Sequence, residues 1–100
     1  MANVAHPTRR DTSFGWIEVT VARGDESLVE RLGFERDGRA HRHDMWEHCR
    51  VVSGRGTIVV GDRRVEVKAG DTCQIPPHTT HWMEPEGWME IVLIYTHPSA

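Results

Sequence analysis

Between Cys49 and Trp82 the chain reads CRVVSGRGTIVVGDRRVEVKAGDTCQIPPHTTHW, and no other feature constrains the fold as much. VV is followed by SGRG, TIVV by GDRR, VEV by KAGD and CQI by PPHTT, so turn chemistry recurs at intervals of roughly eight to ten residues. Glycine, proline and aspartate at such intervals interrupt any helix early, while the branched side chains between them suit a pleated, half-buried surface. The expected class is all-β, an antiparallel barrel or sandwich.

The flanking segments agree. WIEVTVA sets Trp16, Glu18 and Thr20 against Ile17, Val19 and Val21, the period of a half-buried strand. In SLVERLGFER, Leu28, Glu30, Leu32 and Phe34 alternate loosely, which favours a strand over the short helix that propensity also allows. Asp37-Gly38 marks a turn, and MEIVLIY, residues 89–95, is a final apolar strand. One hundred residues support one core. The reading is a polar, mobile arm over 1–13, a barrel over 14–97 and a short tail over 98–100.

Composition removes several classes of function. A net charge of −3 offers no basic patch for nucleic acid. No apolar run is long enough to span a membrane, and MANVAHPTRRDTS has no apolar secretion core, so the expected location is the cytoplasm. Cys49 and Cys73 are too few for a disulfide framework and read as small buried hydrophobes. Apolar strands such as MEIVLIY and WIEV would be hazardous as free edges, and a homodimer joined through strands would cover them.

Histidine is the compositional oddity. There are seven, and His41, His43, His48, His78 and His81 share one window. Placed on a strand, AHRHDMWEH sends His41, His43 and Glu47 to one face and Arg42, Asp44, Trp46 and His48 to the other. Two imidazoles and a carboxylate on one face can take three positions around a divalent cation. A fourth ligand must come from a separate segment, and GDTCQIPPHTTHW offers both His81 and His78. Its prolines stiffen the backbone that presents them.

These two segments resemble the paired signature motifs of the cupin superfamily. The first motif, His-x-His, three residues, Glu, six residues, Gly, is matched by His41, His43, Glu47 and Gly54. The second is matched by Gly70, Pro76 and His81, with His78 at the motif's glycine position and Pro85 at its asparagine position. The resemblance covers roughly residues 30–95 and implies a single-domain cupin, a double-stranded β-helix or jelly-roll barrel. It implies metal ligation by His41, His43, Glu47 and His81. A narrower likeness, WEHCRVVSGRGTIVVGD with Val51-Val52-Ser53-Gly54 and the upstream GWIEV, is to the cupin domain of type II mannose-6-phosphate isomerases.

That likeness implies a metal-dependent isomerase or epimerase acting on a small polar or sugar-like substrate. Manganese, iron, nickel and zinc all accept imidazole with carboxylate. The same ligands would also serve an iron(II) dioxygenase or a lyase, and a cupin pocket can hold a small molecule without turnover. Glu18, Arg31, Gln74 and Tyr95 sit on strands that can line the barrel, and spacing does not single out a base among them. The four tryptophans read as core or interface packing, His48 as a surface residue, and His6 and His97 as tail residues.

Overall fold

The computed structural model describes residues 9–98. The chain forms β1 (Arg9–Asp11), β2 (Gly15–Arg23), β3 (Glu26–Phe34), β4 (Trp46–Val60), β5 (Arg63–Lys68), β6 (Thr72–Ile75) and β7 (His81–Thr96). All pairings are antiparallel, in the order β1-β2-β3-β7-β4-β5, with β6 also paired to β4, on the edge opposite β7. There is no helix among the described residues, so the all-β expectation holds. The expected arm over 1–13 and tail over 98–100 fall largely outside the described residues. Arg9–Asp11, however, pairs with Trp16–Glu18 as β1.

Two hairpins follow from one sequence pattern. Gly24-Asp25 joins Arg23 to its partner Glu26, and Gly61-Asp62 joins Val60 to Arg63. In each the glycine has φ near +60°, which a two-residue turn needs at its first position if its twist is to match the strands.

The long strand β4 organises the rest. Its first half lies between β6 and β7, and its second half between β5 and β7. Register shifts at Val51/Ser53 and Gly54/Gly56 bend it between these halves, as bulges do. The bend also changes phase: Glu47, Cys49 and Val51 are buried before it, and Ile58 after it. Inward residues of β3 (Leu32, Phe34), β4 and β7 (Met83, Met89, Ile91, Leu93) pack with Val67 and Ile75 into a single core.

Two expectations need correction. MEIVLIY is no edge, since β7 is paired on both sides; in WIEV, Trp16, Ile17 and Glu18 are covered by β1, while β2 from Val19 onward pairs with β3 alone among the described residues. A second bulge, between Val19 and Ala22, turns Val21 outward, where it is 48% exposed.

Candidate metal centre

AHRHDMWEH is not one strand. His41 makes a single β-bridge to His81, residues 42–45 run without regular structure, and β4 begins at Trp46. Parity along a strand is therefore not what gathers these side chains. Reciprocal backbone bonds between His41 and His81 (3.1 and 2.9 Å) tie the first segment to the start of β7. The His78 amide donates to the His43 carbonyl at 2.7 Å, and β4 then carries Glu47 inward.

The result is convergence. One donor atom from each of His41, His43, Glu47 and His81 can be chosen so that all lie within 4.8 Å of one another. Glu47 and His81 are almost wholly buried, His43 partly, and His41 is exposed on the outer side. His78 does not join them. It is exposed, and its φ of +61° makes it the one non-glycine residue with positive φ among those described. Of the two candidates left open for the fourth ligand, His81 is the one at the cluster.

The hydrogen bonds set the tautomers. His41 Nδ1 lies 2.9 Å from the Arg39 carbonyl and His81 Nδ1 2.8 Å from the Thr79 carbonyl. A carbonyl only accepts, so each Nδ1 carries the hydrogen and each Nε2 presents its lone pair. This is the outer support that metal-binding imidazoles typically have. Inside the cluster His43 Nε2 is 2.8 Å from Glu47 Oε2, and His81 Nε2 touches the same oxygen. These contacts lack hydrogen-bond geometry: both His43 nitrogens, both Glu47 oxygens and His81 Nε2 are buried without a hydrogen-bond partner. Orphaned buried polar atoms are rare, costing about 1–3 kcal/mol each. Here His43 Nε2 and His81 Nε2 both approach Glu47 Oε2 in a donor set suited to a divalent cation, and the residues fit such an ion.

Burial by itself would lower the His81 pKa. Its contacts with Glu47 and the Thr79 carbonyl more than offset this and raise it. Beside it, Tyr95 is pushed well above the ordinary phenol range, first by burial and then by the Glu47 and Glu30 carboxylates. Its ring meets the His43 ring edge-on at 5.4 Å.

A cavity of about 190 Å³ adjoins the cluster. His41, Glu47, Tyr95, Arg39 and Glu30 line it together with Phe14, Ile17, Leu32, Phe34, Trp82, Met83 and Leu93. A wider groove of about 530 Å³ lies elsewhere, lined by Asp37, Arg55, Glu66, Lys68, Asp71 and Glu84 among others. It shares no residue with the cluster, and the smaller cavity is the one placed for chemistry.

Of the four residues considered as a base, only Tyr95 lines this cavity. Glu18 pairs with Arg9 and Arg31, Arg31 also with Glu90, and Gln74 with His48. His48 faces away from the cluster as expected, bonded to Gln74 and Thr96. His97 pairs with Glu26, and His6 lies outside the described residues. Trp16 and Trp88 lie 6.4 Å apart, while Trp82 lines the cavity. Cys49 is buried and Cys73 half-buried, both free, and burial raises both thiols.

Sequence reasoning missed Glu30. It occupies an inward position of β3, is 9% exposed, and accepts a 2.8 Å hydrogen bond from the Tyr95 hydroxyl. The signal was legible: a carboxylate in phase with Leu32 and Phe34 on a strand whose face is otherwise apolar.

This fold is shared with known proteins. Residues 28–95 match the cupin domain family, and the chain belongs to it. An RmlC-like cupin from Shewanella frigidimarina is similar in structure at 18% identity and a TM-score of 0.77, over 92% of this chain and 85% of that one. A predicted oxalate decarboxylase from Thermotoga maritima gives 20% and 0.75, over 92% of each chain. The polyketide cyclase RemF from Streptomyces resistomycificus gives 16% and 0.72, over 95% of this chain and 79% of that one. No curated protein sequence matches. Among the described residues no helix is long and apolar enough to cross a membrane.

Proposed function

We propose that His41, His43, Glu47 and His81 bind one divalent transition-metal ion and that the protein is a metal-dependent enzyme acting on a small molecule held in the adjoining cavity. One observation carries this reading: five buried polar atoms of the cluster lack hydrogen-bond partners, while two of its imidazoles are fixed in the tautomer that leaves Nε2 free. A bound cation there supplies Lewis acidity toward a carbonyl or hydroxyl oxygen. The remaining work falls to the protein. Tyr95 and Glu30 place a hydroxyl and a carboxyl group on the cavity wall, and Leu32, Phe34, Met83 and Leu93 line it with hydrocarbon.

An isomerase or epimerase is the favoured class, because proton transfer beside a polarised carbonyl is the chemistry these groups support. The cavity does not favour a free sugar. It is smaller than the roughly 300 Å³ at which drug-sized pockets begin, and most of its wall has no partner for a ring of hydroxyls.

The deciding experiment is elemental analysis of purified protein reconstituted separately with manganese, iron(II), nickel and zinc, beside His41→Ala and His81→Ala. About one equivalent of at least one metal is expected in the wild type, with loss in His81→Ala. No retained metal in any preparation would overturn the proposal.

A further inference from the structure

The geometry points to Glu30 as a catalytic residue: it transfers a proton to and from carbon in a small carbonyl compound whose apolar body fills the cavity and whose oxygens face the His/Glu cluster. This rests on the metal reading above and goes past it, naming the base and the substrate class.

Three observations converge. First, Glu30 is a buried carboxyl group that forms no ion pair among the described residues, although Arg39 lines the same cavity; its cross-strand neighbours are Val19 and Leu93, and Tyr95 is its one side-chain hydrogen-bond partner among those residues. Burying a carboxyl group this way is unfavourable, and a leucine or glutamine would fill the position more cheaply. Second, Glu30 lines the same cavity as His41 and Glu47, so a molecule oriented by the cluster lies within its reach. Tyr95, which touches His43 and donates to Glu30 Oε1, spans the two and leaves Oε2 free of any side-chain donor among those residues. Third, the lining is mostly hydrocarbon, and about 190 Å³ is slightly more than the engineered apolar cavities of ~150 Å³ that hold benzene. The fitting substrate has one polar end and about ten non-hydrogen atoms.

The step balances without an oxidant or reductant. The C–H bond next to the carbonyl breaks, its proton passes to a Glu30 oxygen, and the electron pair moves onto the carbonyl oxygen. The proton then returns to the same carbon; in an α-hydroxy carbonyl the hydroxyl proton can instead pass to the former carbonyl oxygen while the carbon-derived proton goes to the adjacent carbon, which completes an isomerisation.

The test uses 2-hydroxyacetophenone, a neutral α-hydroxy ketone of about that size, incubated with metal-reconstituted full-length protein in D2O. Deuterium entering its methylene is followed by NMR, with metal content and melting temperature measured on the same samples. Wild type is expected to exchange one of the two methylene hydrogens in preference, since a base fixed on one wall reaches one face, whereas metal in buffer exchanges both equally. Glu30→Gln still accepts from Tyr95, so it is expected to keep its metal and melt at or above the wild-type temperature. Its exchange should fall at least about 100-fold.

Glu30→Asp keeps the charge but withdraws it by one methylene, and a fall of about tenfold or more is expected. That variant decides the matter should Glu30→Gln fail to fold. Wild-type exchange with no preference between the hydrogens, or unchanged exchange in a folded, metal-loaded Glu30 variant, overturns the assignment. Wild type that retains no metal instead overturns the proposed metal site, and the inference falls with it.

Discussion

Metal should stabilise this protein by an amount that can be worked out beforehand. The donors are already gathered: His41 and His81 are joined by two backbone hydrogen bonds, and their Nδ1 atoms are anchored on the Arg39 and Thr79 carbonyls. Binding therefore needs little reorganisation, and an unfolded chain does not hold the same donors together. A ligand confined to the native state stabilises it by about 2.7 kcal/mol at a free concentration a hundred times Kd. In a domain of this length 1 kcal/mol corresponds to about 4–8 °C, so the melting temperature should rise by roughly 10–20 °C. The assay is thermal unfolding by circular dichroism, from metal-stripped protein to saturation with manganese, iron(II), nickel or zinc. Glu47→Gln is the control. It removes the charge that both imidazoles approach and should reduce the shift to about a third or less. No shift with any of the four metals, or an equal shift in Glu47→Gln, would refute the convergence argument.

Other outcomes follow from single residues. His78→Gly should stabilise the fold by about 0.5–1 kcal/mol in urea titration, because a side chain at φ +61° carries a left-handed penalty that glycine escapes; His78→Ala should give no such gain. Gly54→Ala should cost at least about 3 kcal/mol, measured the same way, since its φ is +77° and the new Cβ would lie 2.0 Å from the Trp88 carbonyl oxygen at the bend of β4. The pH dependence should reverse with metal. His81 has a raised pKa, so its proton stabilises the metal-free fold fully below the unfolded value of 6.5, and that stability is lost as pH rises through the higher folded value. Metal needs the neutral imidazole, so the shift in melting temperature on adding metal should grow over the same rise.

The fold was readable because its signals are local. Runs such as TIVV and VEV, punctuated by Gly-Asp turns, specify hairpins with little help from distant residues. The gathering of His41, His43, Glu47 and His81 has a different origin, and face parity along one strand does not account for it. His41, His43 and Glu47 do not share a strand; a bridge to β7, an irregular crossing and the start of β4 bring them together. Long-range pairing of that kind leaves no periodic trace. The choice between His78 and His81 was likewise beyond spacing, because it turns on a backbone twist at His78.

Glu30 shows where a sequence says more than its motifs do. The search for a base went to residues that could line a barrel, yet Glu18, Arg31 and Gln74 lie outside the cavity, held in ion pairs or hydrogen bonds with other surface groups. Those groups satisfy one another in solvent, where such pairs are worth little and constrain little. Glu30 is the opposite case. Its position in the alternation suits an apolar side chain, and the chain places a buried carboxyl group there instead. Tyr95 lessens the penalty with one hydrogen bond but does not remove it, since one donor leaves a carboxylate mostly unsatisfied. A fold under selection for stability alone would lose such a residue, because Gln keeps the bond and drops the charge. Its presence beside a gathered set of metal donors is more simply explained by chemistry at the cavity than by packing.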